Sequence, residues 1–231
     1  MKIIQQWLLH KYRQDWSMFI TIEGIEGSGK TTQLEKIVAF IQSKGYECVT
    51  SREPGGTPIG TQIRRVLLDP AHKGMDATTE LLLYIADRVE HVHTFIQPHL
   101  AAGRVVVCDR YFDATLVYQG YARGLDKSLI RNLHRVVCDD LQPDATLLFD
   151  LSPEVGLARA RKAIDSGGRV QSEARFENEK LAFHQKVREG YLDLARQEPN
   201  RFHIIDAGLT PEDVALAIEK RLAPLFPDQS A

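Results

Sequence analysis

The sequence predicts an α/β fold: a mainly parallel five-stranded sheet with helices on both faces, plus a small lid. Short apolar runs alternate along the chain with helical patterns of ten or more residues, which is typical of parallel sheets. Two of these runs, at residues 104–108 and 145–151, are almost wholly apolar, as expected of strands buried on both faces. The 231 residues, of which 43% are hydrophobic and 26% are charged, suffice for one sizeable core.

Apolar spacing and turn residues place each element in order. The predicted strands occupy residues 19–22, 47–51, 104–108, 145–151 and 202–205. The predicted helices occupy residues 31–43, 59–68, 78–97, 127–139 and 177–197, and two more begin at Pro153 and Pro211. Apolar residues recur at 3.6-residue spacing in the first helix, which Gly45 ends. Ser152 is a suitable N-cap before Pro153, and Pro98 is expected to kink or restart the long helix.

We interpret residues 1–17 as an N-terminal extension before a single domain at residues 18–228, with the lid at about 162–177. Polar residues interrupt the apolar run of the extension and no small-residue cleavage site follows, which argues against a signal peptide. Met18, directly before the first strand, is the expected functional start. No stretch approaches the roughly 18 consecutive apolar residues of a membrane span.

The charge balance and the cysteine content exclude several classes of protein. Lys plus Arg is 29 and Asp plus Glu is 31, which gives a formal net charge of -2. A near-neutral chain is a poor fit to a protein that wraps nucleic acid or coats an anionic membrane. Cys48, Cys108 and Cys138 form no CxxC pair, so we expect reduced thiols and a cytoplasmic location.

Residues 24–31, Gly-Ile-Glu-Gly-Ser-Gly-Lys-Thr, match the phosphate-binding pattern G-x-x-x-x-G-K-[ST] at every fixed position. The pattern lies between a predicted strand and a predicted helix, where glycines let backbone N–H groups converge on phosphate oxygens. Lys30 is placed to reach the outer phosphates and Thr31 to offer a hydroxyl to Mg²⁺. This loop therefore predicts a P-loop NTPase fold. Its expected ATP-binding residues are Gly24, Ile25, Glu26, Gly27, Ser28, Gly29, Lys30, Thr31 and Thr32.

Arginines near predicted loops and helix ends indicate a second substrate that carries phosphate. They are Arg64, Arg88, Arg110, Arg161, Arg169 and Arg175. Arg110 and Asp109 directly follow a predicted strand, at the edge where open α/β sheets bind ligands. Arg is suited to bidentate phosphate contact, and Asp109 beside it is a stronger candidate metal ligand than Asp150. Glu26 is unusual beside a polyphosphate: it could bind a sugar hydroxyl, hold the metal through water, or face solvent.

Four motifs in order resemble those of the bacterial thymidylate kinases, a branch of the nucleoside monophosphate kinases. They are EGIEGSGKTTQ at 23–33, REPGGTPIG at 52–60, CDRYFDATLVYQGYARG at 108–124 and RFENE…FHQKVREGY at 175–191. The resemblance covers about residues 18–225. It implies the reaction ATP + dTMP ⇌ ADP + dTDP with Mg²⁺, carried out by a homodimer.

The resemblance also implies how the reacting phosphates are held. Arg64 and Arg110 would bind the dTMP phosphate, and Glu26 would meet the 3′-hydroxyl. Asp109 would lie near the metal that Thr31 also contacts, and near the transferring phosphoryl group.

The base and sugar would be bound by residues of the later motifs. Tyr84 would stack on the thymine ring and Arg88 would reach a base carbonyl. Gln119 would contact the base edge with Thr115 nearby, while Tyr118 would lie against the sugar and disfavour a 2′-hydroxyl.

The resemblance assigns a catalytic arginine to the lid, because the phosphate loop has no basic residue at positions 26–28. The family segment D-R-[hydrophobic]-[D/E] corresponds to residues 174–177, where Ala174 replaces the Asp. A longer stretch before it adds Arg169, so Arg175 is the first candidate and Arg169 the second. Arg161 and Arg169 are also expected contacts to ATP. The expected catalytic residues are Lys30, Asp109, Arg110 and Arg175.

Two other functions compete with a dTMP kinase. A deoxynucleoside kinase acts on an uncharged hydroxyl and needs fewer acceptor arginines, so Arg64 together with Arg110 argues against it. A nucleotide-dependent switch is disfavoured because the signature N-K-x-D is absent and a lid is predicted. His91 and His93 lack metal-site spacing, and we expect them on a solvated helix face. The turn at residues 206–208 either lines the adenine pocket or is only a turn.

Overall fold

The computed structural model describes residues 16–167 and 171–227, which fold around a parallel sheet. The strand order is β2-β3-β1-β4-β5, and every neighbouring pair is parallel. The strands are β1 (Met18–Gly24), β2 (Cys48–Arg52), β3 (Val105–Asp109), β4 (Ala145–Asp150) and β5 (Phe202–Asp206). The predicted α/β class and the five predicted strands are confirmed.

The centre of the sheet is buried on both faces because most residues of its strands are apolar. In β1, Phe19, Ile20 and Ile22 have no exposed surface. Ile20 lies opposite Val107 of β3 on one side and Ala145 of β4 on the other. Parallel pairing brings the carboxyl ends of the strands to one edge, which is the edge that binds ligands in such sheets.

Helices connect successive strands. They are α1 (Lys30–Ser43), α2 (Pro58–Leu68), α3 (Ala77–His91), α4 (Gln97–Ala101), α5 (Phe112–Thr115), α6 (Lys127–Val137), α7 (Pro153–Asp165), α8 (Leu181–Gln197) and α9 (Pro211–Leu222). Short 3-10 helices lie at Pro70–His72, Gln171–Glu173 and Ala223–Leu225. Side-chain caps begin several helices: Thr57 accepts a hydrogen bond from Gly60 N (2.9 Å) and Asp76 accepts one from Thr78 N (2.9 Å).

The structure differs from the sequence prediction at three helices. The long helix runs on from α3 through a π-helical segment, Val92–Ile96, into α4, which contains Pro98. The helix expected from residue 177 begins at Leu181, and turns precede it. Residues 112–122, for which no helix was predicted, form α5 and a π-helical segment, Leu116–Ala122.

Trp16, within the expected N-terminal extension, packs against the core. Its ring centroid lies 3.8 Å from that of Tyr46 and 5.3 Å from that of Phe226. Residues 1–15 and residue 228 lie outside the described part of the chain, so the proposed start at Met18 stays a prediction. Among the described helices, none combines the length and the apolar character that crossing a bilayer requires.

Candidate active site

The phosphate loop connects the end of β1 to the start of α1, as the sequence predicts. Gly27 has a φ of +70°, and a Cβ there would lie 2.0 Å from the carbonyl oxygen of Gly156 in the first turn of α7. Any larger residue would therefore clash as well as strain the backbone. Residues 26–32 line the larger of two cavities, whereas Gly24 and Ile25 are not part of its lining.

Lys30 lies within the loop, and its ammonium group contacts backbone oxygens. Its Nζ donates to the carbonyl oxygens of Gly24 (2.9 Å) and Ile25 (3.0 Å) and to Ser28 Oγ (3.3 Å). Burial, with the nearby charge of Arg110, lowers the pKa of Lys30 to about 8. The side chain is therefore still mostly protonated at pH 7 and is a cation aimed at the larger cavity.

Arg110 occupies the loop directly after β3 in a conformation that is uncommon for a residue with a side chain. Its φ is +69°, and its backbone N–H donates to the carbonyl oxygen of Ile22 (3.0 Å). The guanidinium lies over the Tyr118 ring, 4.8 Å from the centroid, and its Nη2 donates to Glu26 Oε1 (3.0 Å). A left-handed arginine held in this way at a strand end is the kind of strained backbone that clusters at functional sites.

Glu26 does not face solvent. Its carboxylate accepts hydrogen bonds from Tyr118 Oη (2.6 Å) and from Arg110, and His184 Nδ1 lies 3.2 Å from its Oε2. Burial alone would raise the pKa of Glu26, but the charge of Arg110 and the contacts with His184 and Tyr118 outweigh it and hold the pKa well below its ordinary value. Glu26 is therefore an ionised acceptor at the base of both cavities.

The second cavity contains the residues that the sequence assigned to the acceptor substrate. It encloses about 560 Å³ of space, including its open side. The assigned residues that line it are Glu26, Arg64, Tyr84, Arg88, Arg110, Thr115, Tyr118 and Gln119. The two cavities meet, because Glu26, Arg64 and Arg110 line both of them.

Arg88, in the lining of the second cavity, is held by several hydrogen bonds. Its side chain is 1% exposed, Nε donates to Glu53 Oε2 (2.8 Å), and Nη2 donates to Thr115 Oγ1 (2.8 Å). Nη1 is buried and has no hydrogen-bond partner among the described residues. A buried donor without a partner is destabilising unless a ligand or water accepts its hydrogen bond.

The expectation that His91 lies on a solvated helix face is wrong. The side chain has no exposed surface, its Nδ1 lies 2.9 Å from Glu53 Oε1, and its Nε2 lies 2.6 Å from Ser51 Oγ. Glu53 thus joins His91 to Arg88. The sequence analysis gave Glu53 no role and placed His91 wrongly, because only the fold brings the two side chains together.

Arg64 forms an ion pair with a residue of the lid. Glu173 Oε2 accepts from Arg64 Nη2 (2.7 Å) and Nε (3.1 Å), and Arg64 Nη1 donates to the carbonyl oxygen of Pro54 (3.0 Å). Glu173 lines both cavities. A carboxylate therefore stands beside the guanidinium that was expected to bind an acceptor phosphate.

The structure does not place Arg175 at the phosphate loop. The residue is 3% exposed, its Nη1 pairs with Glu80 Oε2 of α3 (2.7 Å), and its Nε donates to the carbonyl oxygen of Leu67. Its backbone N–H donates to the carbonyl oxygen of Leu68 (3.2 Å). Arg175 thus connects the lid to α2 and α3, and neither cavity is lined by it.

The other lid-side arginines differ in position. Arg161 is exposed on α7 and is not among the residues that line the larger cavity, whereas Arg159 lines it and donates to the carbonyl oxygen of Ala207 (2.9 Å). Arg169 lies outside the described residues. Ala207 also lines the larger cavity, so the turn at residues 206–208 forms part of the wall.

Comparison with known proteins decides the family. The sequence profile of the thymidylate kinases matches residues 22–218. The chain belongs to the thymidylate kinase family. A thymidylate kinase from Desulfosudis oleivorans is 58% identical over 190 residues, which cover 82% of this chain and 89% of the relative. One from Desulforapulum autotrophicum is 56% identical over 197 residues, which cover 85% and 87%.

A solved structure shows the same fold. The crystal structure of thymidylate kinase from Ehrlichia chaffeensis is similar with a TM-score of 0.71 at 35% identity, and the match covers 90% of this chain and 99% of that chain. The P-loop NTPase fold and the kinase activity expected from the sequence are confirmed. The reaction of the thymidylate kinase family is phosphorylation of dTMP to dTDP by ATP, so a deoxynucleoside kinase and a nucleotide switch are excluded.

Asp109 and Asp150, which each end a strand, differ in whether the carboxylate is already paired. Asp109 Oδ1 is buried and accepts no hydrogen bond from a described residue, whereas Asp150 is paired with Arg188 through two hydrogen bonds (2.7 and 2.9 Å). Thr31 lines the larger cavity at the start of α1. Asp109 and Thr31 thus offer hard oxygen donors of the kind that Mg²⁺ prefers.

Proposed function

We propose that this chain transfers the terminal phosphoryl group of ATP to dTMP where its two cavities meet. The observation that carries the proposal is that Arg64, Arg110 and Glu26 line both cavities. A phosphate on each side of this junction would have arginine donors within reach. ATP would occupy the larger cavity and dTMP the smaller one.

The acceptor phosphate needs no general base, because its oxygens are already ionised at pH 7. The barrier is the repulsion between two anions and the need to hold them in line, so positioning and charge stabilisation supply most of the catalysis. Arg64 and Arg110 would hold the acceptor phosphate. Lys30 would exchange its carbonyl acceptors for oxygens of the donor phosphates.

Thr31 and Asp109 would hold Mg²⁺, and the uncommitted buried oxygen of Asp109 supports this assignment. Magnesium supplies charge neutralisation on the donor phosphates when it is bound. Backbone N–H groups of the phosphate loop and the N-terminus of α1 would complete the donor side.

Glu26 would accept a hydrogen bond from the sugar of dTMP. The ionised state of Glu26 supports this role, and so does Tyr118, which donates to the same carboxylate and lines the second cavity, where the sugar would pack. Tyr84 would stack on the base, while Arg88 Nη1 and Gln119 would contact its edge.

Of the two lid arginines, Arg169 is the better candidate for stabilising the transferring phosphoryl group. Arg175 is already held by Glu80 and Leu67, on the acceptor side of the lid. An arginine finger contributes roughly 10³–10⁵ in rate. Arg169→Ala should therefore lower kcat by orders of magnitude without changing dTMP affinity, and the same loss in Arg175→Ala alone would reverse the assignment.

The reaction is tested by ADP release with ATP and Mg²⁺ against a panel of dTMP, dUMP, dCMP, dGMP and thymidine. We expect turnover that depends on a nucleoside monophosphate and is fastest with dTMP. Turnover with thymidine but not dTMP would contradict the proposal, because Arg64 and Arg110 would then have no phosphate to bind.

We further propose that the chain works as a homodimer in the cytoplasm. Its three cysteines are free thiols, as expected in a reducing compartment. Leu82 on α3 and Leu129 and Val136 on α6 are exposed apolar side chains on two helices that contact each other. Light scattering in solution should give twice the mass of one chain, and the mass of a single chain would contradict the dimer.

A further inference from the structure

Glu80 lines neither cavity, but its carboxylate binds both the lid and the π-helical segment Leu116–Ala122. It is on α3, and its side chain is 1% exposed. Oε2 accepts from Arg175 Nη1 of the lid (2.7 Å), while Oε1 accepts from Gln119 Nε2 (2.7 Å) and Arg123 Nε (3.3 Å). One buried carboxylate thus contacts both the lid and Gln119, which lines the second cavity.

The contact with Glu80 fixes which way the Gln119 amide faces. A carboxylate in ion pairs with two guanidinium groups can only accept hydrogen bonds, so the amide atom next to it must be the NH₂ nitrogen. The carbonyl oxygen is then the remaining polar atom of Gln119. No described residue donates a hydrogen bond to this oxygen, and Gln119 lines the second cavity.

Arg88 supplies a donor in the lining of the same cavity. Its Nη1 is the buried nitrogen without a described partner, while its other nitrogens are held by Glu53 and Thr115. The cavity therefore offers a fixed donor and a fixed acceptor. A pyrimidine with a carbonyl oxygen beside a ring N–H, such as thymine, complements this pair. Cytosine carries an amino group and a bare ring nitrogen at these positions, which reverses both hydrogen bonds.

We propose that Glu80 is a specificity-determining positioning residue that selects thymine over cytosine by holding the Gln119 carbonyl oxygen toward the base. The proposal rests on the proposed function, since it requires dTMP to occupy the smaller cavity. Glu80 touches no substrate and acts through Gln119. Its second contact, with Arg175, affects every acceptor equally and so does not alter the choice between bases.

The test is Glu80→Gln, assayed as the ratio of kcat/KM for dTMP to kcat/KM for dCMP. A glutamine at position 80 can donate as well as accept, so the Gln119 amide is free to turn and donate to the cytosine ring nitrogen. We expect the ratio to fall about tenfold or more, since a mismatched buried hydrogen bond costs at least about one factor of ten. The ratio is independent of the fraction of folded enzyme and of any change in lid closure.

Two further variants complete the test. Glu179→Gln removes the other carboxylate that pairs with Arg123 (2.7 Å) and leaves Glu80 in place, so the ratio should not change. Gln119→Leu leaves the ion pairs of Glu80 intact but removes the amide, so the ratio should fall as in Glu80→Gln. An unchanged ratio in either Glu80→Gln or Gln119→Leu, with turnover of dTMP retained, would overturn the role of Glu80. Failure of the wild-type chain to use dTMP would instead contradict the proposed function.

Discussion

Glu173 occupies a position next to Arg64 that an acceptor phosphate would also need. Its carboxylate oxygen lies 2.7 Å from Arg64 Nη2, and both side chains are partly exposed, at 29% and 15%. Solvent screens part of this ion pair, so its net contribution to stability is modest. In the proposed binding mode, dTMP would displace Glu173 from Arg64 at small cost.

Glu173→Gln should lower KM for dTMP by about threefold, because the substrate no longer competes with an ion pair of about 0.5–1 kcal/mol. Steady-state kinetics at saturating ATP measures this change. Glu179→Gln, which removes a carboxylate outside both cavities, is the matched control and should leave KM unchanged. A higher KM in Glu173→Gln would show that Glu173 assists dTMP binding instead.

Single residues in contiguous motifs were predictable from the sequence, and residues that act through packing were not. The phosphate loop and Arg110 stand in fixed positions next to strand ends, so their placement follows from the pattern. His91 and His93 look alike in the sequence, yet His91 is buried against Glu53 while His93 is exposed. Glu80 and His184 carry no local signal either, since their partners are far apart in the chain.

At the scale of elements, the first turn of α7 fixes the shape of the phosphate loop. A Cβ on Gly156 would lie 2.5 Å from the carbonyl oxygen of Glu26 and 2.8 Å from Ile25 Cδ1. A Gly→Ala change inside a helix normally stabilises by about 1 kcal/mol. Here the clash with loop backbone, at about 1–3 kcal/mol, opposes that gain and displaces the loop.

Gly156→Ala should therefore weaken ATP binding by about tenfold while the free energy of unfolding changes by no more than about 2 kcal/mol. Calorimetric titration with ATP and denaturant unfolding measure the two quantities. Gly74→Ala is the control, since a Cβ there meets nothing within 4 Å. ATP affinity equal to that of the wild type in Gly156→Ala would mean that α7 does not constrain the loop.

The helical segment at residues 112–122 is the element that the sequence analysis missed, although it carries three of the expected substrate contacts. Its π-helical part, Leu116–Ala122, lacks a 3.6-residue apolar pattern, because every residue from Leu116 to Gly120 is buried. Gly190 allows α8 to approach this segment closely, because a Cβ at position 190 would lie 2.9 Å from the Tyr121 ring. Tertiary packing against α8, rather than local propensity, stabilises this helix.

At the scale of the whole molecule, one buried acid makes stability depend on pH. Glu23, next to the last residue of β1, has no exposed surface, and its carboxylate accepts from Tyr191 Oη (2.7 Å) and Tyr111 N (2.8 Å). Burial, together with the charge of Asp113, raises the pKa of Glu23 from 4.5 to about 7. The native state therefore holds this proton more tightly than the unfolded chain does.

Stability from this group is fully present below pH 4.5 and is lost as the pH rises through 7, by at most about 3 kcal/mol. Glu23→Gln removes the titration but keeps the shape. The stability of the variant relative to the wild type should thus increase between pH 5 and pH 8, as urea unfolding at both pH values would measure. A difference that is the same at both pH values would contradict the raised pKa.

The fold brings the two cavities together at one edge of the sheet, where the proposed acceptor phosphate would lie against Arg64 and Arg110. The sequence alone predicted that ligands bind at the edge formed by the carboxyl ends of the parallel strands. The strand order, and the ion pair between Glu173 of the predicted lid and Arg64, became known only from the structure, because contacts between residues distant in the chain determine both.

The most direct measurement is the affinity for dTMP and for thymidine, by calorimetry, in the wild type, Arg64→Met and Arg65→Met. Arg65 is the next residue of α2 and is exposed, so it is a matched control. We predict that the wild type and Arg65→Met bind dTMP much more tightly than thymidine, and that Arg64→Met loses about tenfold or more of this preference, as for one charged hydrogen bond. An unchanged preference in Arg64→Met would place the acceptor phosphate elsewhere.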